Sequence, residues 1–262
     1  MKTKGNYRNK HRAALGPEDN SQRTPFVKLN IDEQTRAIFE EGKMLLIDKP
    51  LHWTSFDVVR KVGLLLKIRK VGHAGTLDPL ATGLLILCTG KFTKKINEYM
   101  AQEKEYTGSF TLGAVTPTYD LESLPENPKD YAEISLEKIN ETVKKFRGEI
   151  DQVPPAYSAL KKKGVPMYEL ARRGEEVNLK PRKVNIQSFE IISVELPLVY
   201  FKITCSTGTY IRSIAHDFGQ ELGCGAYLSE LRRTAIGEMN IKDAMTMDGF
   251  INMLAGMEST KP

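Results

Sequence analysis

The residues with most chemical promise lie in one short run, Val71-Gly-His-Ala-Gly-Thr-Leu-Asp-Pro-Leu-Ala-Thr-Gly83. Its glycines and proline give a tight, fixed loop, and Pro79 pushes the backbone of Asp78 toward the extended region. Such a loop can hold a carboxylate at a sheet edge. An isolated Asp-Pro usually makes only a turn, so the loop alone supports no more than a rigid corner bearing a carboxylate. His73 precedes Asp78 in the same loop, and a lone loop histidine is more often structural. Tyr106 offers a flat face, worth roughly 1–3 kcal/mol per stacked base, although an inward tyrosine in a strand is usually core. Tyr210 and Arg212 open a helix whose apolar stripe begins at Ile211. That stripe leaves Arg212 off the buried face. Leu231 by itself is an ordinary leucine.

The elements that must position these residues are legible in part. A short helix is expected over Asp32 to Glu41, ending at Gly42, with a buried strand from Met44 to Ile47 and a turn at Asp48-Lys49-Pro50. Thr54-Ser-Phe-Asp57 fits a capping box. Phe56, Val59, Val62 and Leu66 follow at helical spacing, turning Arg60 and Lys61 outward. A loop from Arg69 to Gly83 leads to the strand Leu84 to Cys88 and a helical stretch around Lys94 to Ala101. Tyr106, Phe110 and Leu112 share one side of a half-buried strand. Leu136, Ile139, Val143 and Phe146 mark a helix stopped by Gly148, and strands resume near Val184 to Ile192 and Val199 to Cys205. Ile211, Ile214, Ala215, Phe218 and Leu222 mark the last strong helix. Strands and helices mix without a regular βαβ rhythm, so the expected fold class is α+β, with a mixed, largely antiparallel sheet flanked by helices.

The chain has 262 residues, 40% hydrophobic and 27% charged, with net charge +5. That suits one sizeable core or two small ones. Residues 1–30 are polar and basic and read as a flexible arm; residues 31–262 form the main domain, with 154–180 as a basic surface insertion. No separate C-terminal RNA-binding domain is expected, since only about thirty residues follow Arg232. Cys88, Cys205 and Cys224 are far apart and read as reduced thiols in or near the core. No apolar run approaches the ~20 residues of a membrane span, and the N-terminus has no secretory signal, so the expected location is the cytoplasm. There is no Gly-x-Gly-x-x-Gly after a strand, no P-loop and no metal-ligand spacing. An enzyme of this sequence is expected to work without cofactor or metal. Arg60, Lys61, Lys67, Arg69 and Lys70 form one basic cluster, and Lys161, Lys162, Lys163, Arg172 and Arg173 another. A basic run is usually a solvated face; contact with phosphate is the alternative.

The whole Asp78 string closely resembles the catalytic loop of the TruB family of tRNA pseudouridine synthases. Further blocks follow in the family's order: Asp48-Lys-Pro-Leu-His-Trp-Thr-Ser55, Lys104-Glu-Tyr106 with Leu112-Gly113, Pro154-Pro-Ala-Tyr-Ser-Ala-Leu-Lys161, Cys205-Ser-Thr-Gly-Thr-Tyr-Ile-Arg212 and Leu231-Arg-Arg-Thr234. Together they span Asp48 to Thr234, and such agreement in register is not chance.

The resemblance implies a pseudouridine synthase fold and the isomerisation of uridine in the T loop of tRNA, at position 55. It makes Asp78 the nucleophile, attacking the sugar C1′ or the uracil C6, and Arg212 the partner of its carboxylate. An adjacent arginine would keep the carboxylate ionised and fix its orientation. His73, Tyr106, Tyr210 and Leu231 would hold the flipped base, with Lys49, Lys161, Arg172 and Arg173 at the RNA. The tRNA T-arm is the expected partner, met by a monomer, with no membrane involved. Rivals are a synthase acting on another RNA and a non-catalytic tRNA-binding or folding protein. The first block usually has glycine where this chain has His52, and many family members carry a C-terminal RNA-binding domain.

Overall fold

The computed structural model describes residues 29, 31–158, 160–162, 164–175 and 179–259. The expected N-terminal arm lies outside these residues except for Leu29, which is buried in the core with Ile31. Helix α1 (Glu33–Glu41) is capped by the Asp32 carboxylate, which accepts from the Thr35 amide. Strand β1 (Met44–Lys49) follows, then α2 (Ser55–Leu66), whose predicted capping box is present in both directions. The buried face of α2 is Ser55, Val58, Val62, Leu65 and Leu66. Phe56, expected inside, is 67% exposed. Val58 and Leu65 take the core because the helix is oriented by the bonds of Ser55 to the loop below it.

The expected loop from Arg69 to Gly83 contains strand β2 (Val71–His73), and β3 already begins at Ala81 (Ala81–Thr89). A 3-10 turn (Gly90–Lys95) and α3 (Ile96–Ala101) lead to β4 (Lys104–Leu112). Next come α4 (Leu136–Lys144), β5 (Gly148–Gln152), the hairpin β6 (Lys161–Lys162) and β7 (Val165–Pro166), and α5 (Met167–Arg172). Then β8 (Arg182–Glu195) and β9 (Leu198–Cys205) feed α6 (Ile211–Leu222). Beyond the expected last helix lie β10 (Ala226–Ile236), its short partner β11 (Met239–Asn240), a 3-10 turn (Ile241–Asp243) and α7 (Met247–Ser259).

The main sheet runs β1-β3-β10-β4-β9-β8-β5, with β2 on β3 and β11 on β10. Strands β3 and β10 pair in parallel, at Leu231↔Ala81 through Arg233↔Gly83, while the other strand pairs among the described residues are antiparallel. The mixed, largely antiparallel α+β expectation is met. Helices α4 and α6 cover one half of the sheet, Phe218 of α6 packing with Phe110, Phe189 and Phe201 of the strands, each burial stabilising by about 1.5–3 kcal/mol. Helices α2 and α7 pack with β1 and β3 at the other end. The three cysteines are free and buried. Among the described residues no helix is long and apolar enough to cross a membrane.

The decisive placement is that of β10. It lies between β3 and β4, so it ties the end of the Asp78 loop to the strand carrying Tyr106. Gly83, the last residue of the loop motif, has φ +103. A Cβ there would fall 2.3 Å from the Arg233 carbonyl oxygen, so β3 and β10 can meet in parallel only with glycine at this point.

Candidate active site

The Asp78 loop is held from below by two side chains of the first sequence block. The Ser55 hydroxyl donates to the Leu77 carbonyl (3.2 Å) and accepts from the Leu77 amide (2.9 Å). The ammonium of Lys49, fully buried, donates to the carbonyls of Pro50 (2.9 Å), Trp53 and Pro79. The His52 amide donates to the Pro79 carbonyl at 2.8 Å. His52 itself has φ +64, so the left-handed turn that glycine usually makes at this point of the block is kept. Asp78 is thereby presented at a fixed corner.

The carboxylate of Asp78, 37% exposed, meets Arg212: Oδ2 lies 2.9 Å from Nε. The Nε–H is not aligned for a hydrogen bond, so the contact is an ion pair. Two main-chain oxygens hold the rest of the guanidinium, Nη1 donating to Thr118 (3.1 Å) and Nη2 to Tyr157 (3.0 Å). Asp120 stands 3.6 Å from the same Nε. Arg212 is therefore 4% exposed, against the expectation that it sits off the buried face of its helix. Carboxylates and carbonyls from distant parts of the chain enclose it, as a buried cation requires. Burial raises the Asp120 carboxyl above its ordinary range, against the opposing pull of Arg212.

Asp78 and Arg212 open on a cavity of about 350 Å³, also lined by Tyr106, Tyr210, Leu231, Lys104, Arg182 and Arg233. That lies within the roughly 300–1,000 Å³ of small-molecule sites. Tyr106 and Arg233 are register partners across β4 and β10, and burial keeps the phenol neutral despite Arg233 beside it. Tyr210, the N-cap residue of α6, is fixed by Gln152, whose side chain accepts from its amide (2.8 Å) and donates to its carbonyl (3.1 Å). The guanidinium of Arg182 lies 4.8 Å over the Tyr210 ring and donates to the Gly208 carbonyl.

The cations Lys49, Lys104, Arg212 and Arg233 are buried here, against the carboxylates of Asp120 and the half-open Asp78. Such a surplus of buried positive charge suits an anionic substrate. It is costly in itself: burial lowers Lys49 to about 8, against the pull of Asp78, and Lys104 to about 8, helped by Arg233.

Of the residues expected at a site, the structure brings together Asp78, Tyr106, Tyr210, Arg212 and Leu231. His73 is not among the cavity-lining residues. Its ring lies near Arg233 and the Gly75 backbone with Nδ1 buried and unpartnered, and burial lowers its pKa. Lys49 is corrected outright. A fully buried ammonium spent on three carbonyls cannot reach RNA, and it clamps the loop instead. Arg172 and Arg173 are exposed near the end of α5, and the side chain of Lys161 lies outside the described residues. Sequence reasoning missed Asp120, Arg182, Lys104 and Arg233 as site residues. Arg233 had a signal, its place in the Leu231-Arg-Arg-Thr234 block. Asp120 had none.

Residues 63–211 match the TruB family pseudouridylate synthase (N terminal domain). The chain belongs to the TruB family. Residues 212–260 match the tRNA pseudouridylate synthase B C-terminal domain of the same family, and this segment supplies β10 to the middle of the main sheet. The TruB relative named tRNA pseudouridine synthase B in Flavobacterium johnsoniae is 53% identical over 217 residues, 80% of this chain and 95% of that one. Its namesake in Phocaeicola vulgatus is 44% identical over 226 residues, covering 84% of this chain and 96% of the relative. Among solved structures, one from a Cbf5-Nop10-Gar1 complex matches with TM-score 0.67 and 26% identity over 92% of this chain and 63% of that chain. An H/ACA RNP bound to a substrate RNA containing 2′-deoxyuridine matches with TM-score 0.64 and 26% identity over 85% and 57%.

Proposed function

We propose that this TruB-family chain isomerises uridine to pseudouridine in the T loop of tRNA, at position 55, with Asp78 as the nucleophile, acting as a cytoplasmic monomer. The supporting observation is the pairing of a half-open Asp78 carboxylate with a buried Arg212 at 2.9 Å on the wall of a nucleobase-sized cavity. The names of the relatives support tRNA as the substrate.

The target nucleotide leaves its stack, at a cost of a few kcal/mol, and its base enters between Tyr106 and Leu231. Asp78, oriented by its ion pair with Arg212, attacks the sugar C1′ or the uracil C6. In the C1′ route the N1–C1′ bond breaks and uracil leaves with the electron pair. The ring turns and C5 bonds to C1′, displacing the carboxylate; C5 then loses its proton and N1 gains one. The bonds balance with no redox carrier and no phosphate donor.

The test is Asp78→Asn and Asp78→Ala with a tRNA transcript. Both variants are expected to make no pseudouridine while binding the transcript as the unaltered chain does. Measured turnover in either removes Asp78 from the nucleophile role. Mapping pseudouridine in tRNA and ribosomal RNA with and without the gene tests the target, and a missing mark outside the T loop redirects it.

A further inference from the structure

The residue before Asp120 has an unusual backbone. Tyr119 has φ +66, in the left-handed region that bulky side chains rarely adopt without support. The support is on the page. Its ring lies flat on that of His216, centroids 3.9 Å apart and planes 16° from parallel. Its amide donates to the Thr116 carbonyl and its carbonyl accepts from the Leu228 amide on β10. His216 stands on α6 four residues after Arg212, one turn further along the same helix face. Helix α6 thus grips the loop at two levels. Arg212 takes the Thr118 carbonyl and lies close to Asp120, and His216 takes the ring of the residue between them.

We propose that the Tyr119–His216 ring stack is a positioning element for the nucleophile, pinning residues 116–120 to α6 so that Asp120 and the Thr118 carbonyl hold Arg212 against Asp78. Between Gly113 and Ser135 the described chain has isolated bridges, Val115–Glu126 and Asp120–Leu228, in place of regular elements. Local bonds shape the turn itself, the Thr118 hydroxyl donating to the Asp120 carbonyl and the Glu122 amide to the Asp120 carboxylate, while the Arg212 bond to Thr118 and the ring stack tie it to α6. Neither ring lines the cavity; both act through the guanidinium. The inference rests on the proposed function for its kinetic test and has a second readout that does not.

The kinetic test measures single-turnover pseudouridine formation at saturating T-arm RNA in the full chain. His216→Ala and Tyr119→Ala are expected to lower the rate on the order of tenfold, with RNA affinity within about twofold, since small misplacements at a reacting carboxylate cost that much or more. His216→Phe keeps a flat ring and is expected to stay near the unaltered rate. Tyr119→Gly adopts the left-handed backbone freely but lacks the ring, and is expected to be slow. An unchanged rate in His216→Ala overturns the proposal, as does an equal loss in His216→Phe or weakened binding at an unchanged rate. If Tyr119→Ala fails to fold, the His216 pair decides. The second readout is the Arg212 Nε–H resonance in RNA-free protein, assigned by its loss in Arg212→Lys. It should move in His216→Ala and hold in His216→Phe. A resonance unmoved by His216→Ala rejects the stack as a positioning element, whether or not the chain makes pseudouridine.

Discussion

Ser55 and Leu77 are joined by two hydrogen bonds, the hydroxyl giving one to the carbonyl and taking one from the amide. Both groups are buried, so a single side chain satisfies both backbone polar atoms of the residue before Asp78. Ser55→Ala would leave both unpaired. The expected loss is about 1–3 kcal/mol for each buried group left unsatisfied, read as a lower urea midpoint. A midpoint within error of the unaltered chain would mean that water or a shifted loop replaces the hydroxyl.

Arg212 makes four directional demands at once, on Asp78, Asp120 and the carbonyls of Thr118 and Tyr157. Lysine keeps the charge but is a single point and cannot meet them together. Arg212→Lys is expected to lower kcat by about 100-fold, the scale of a 1 Å misplacement, while RNA affinity changes little. Arg212→Ala leaves buried carboxylate unpaired and should also cost about 3–5 kcal/mol of stability. Arg212→Lys at the unaltered rate would show that charge alone is what Asp78 needs.

The buried lysines set a pH dependence of stability whose sign can be worked out. Lys49 and Lys104 have folded values of about 8 against an ordinary 10.5. Between those values the unfolded chain holds more protons, so stability rises with pH. Cys88 and Cys205 act oppositely, since burial pushes them from 9.0 to about 11 and the folded chain then holds more protons. The net expectation is a rise from pH 8 to 9 that levels off above. Urea unfolding at several pH values checks it, and Lys49→Met should flatten the rise. A stability that falls from pH 8 to 9 in the unaltered chain contradicts this account of the lysines.

How much of this was legible follows the range of the interactions. The α2 capping box could be read because its side chains and amides lie within one turn. The Asp78 loop could be read because its geometry is written in contiguous glycines and a proline. Strand β10 could not. Its register slips between Leu228 and Glu230 and again between Arg233 and Ala235, so the alternation that marks a strand is broken, and Arg233 is an arginine in the middle of a sheet. The burial of Arg212 was hidden for a related reason. Its partners come from residues 78, 118, 120 and 157, and nothing in the helix around it announces them. Phe56 misled because an apolar residue at the right spacing also fits the exposed side of a first turn.

The two basic clusters, equal as sequence, differ in the structure. Arg173 lies 3.5 Å from Glu169 and 3.9 Å from Glu175, so part of its charge is already met. Arg60, Lys67, Arg69 and Lys70 are exposed on α2 and its exit toward the Asp78 loop. None of these four has a carboxylate within ion-pair distance among the described residues. Unpaired cations beside the Asp78 loop lose little on meeting phosphate and release counterions when they do. Neutralising all four should weaken tRNA binding and lower the slope of log affinity against log salt by roughly three, at 0.7–0.9 per phosphate contact. The rate at saturating RNA should not change, because none of the four reaches the cavity. An unchanged salt slope would assign the electrostatic grip to other cations and leave this edge of α2 a solvated face.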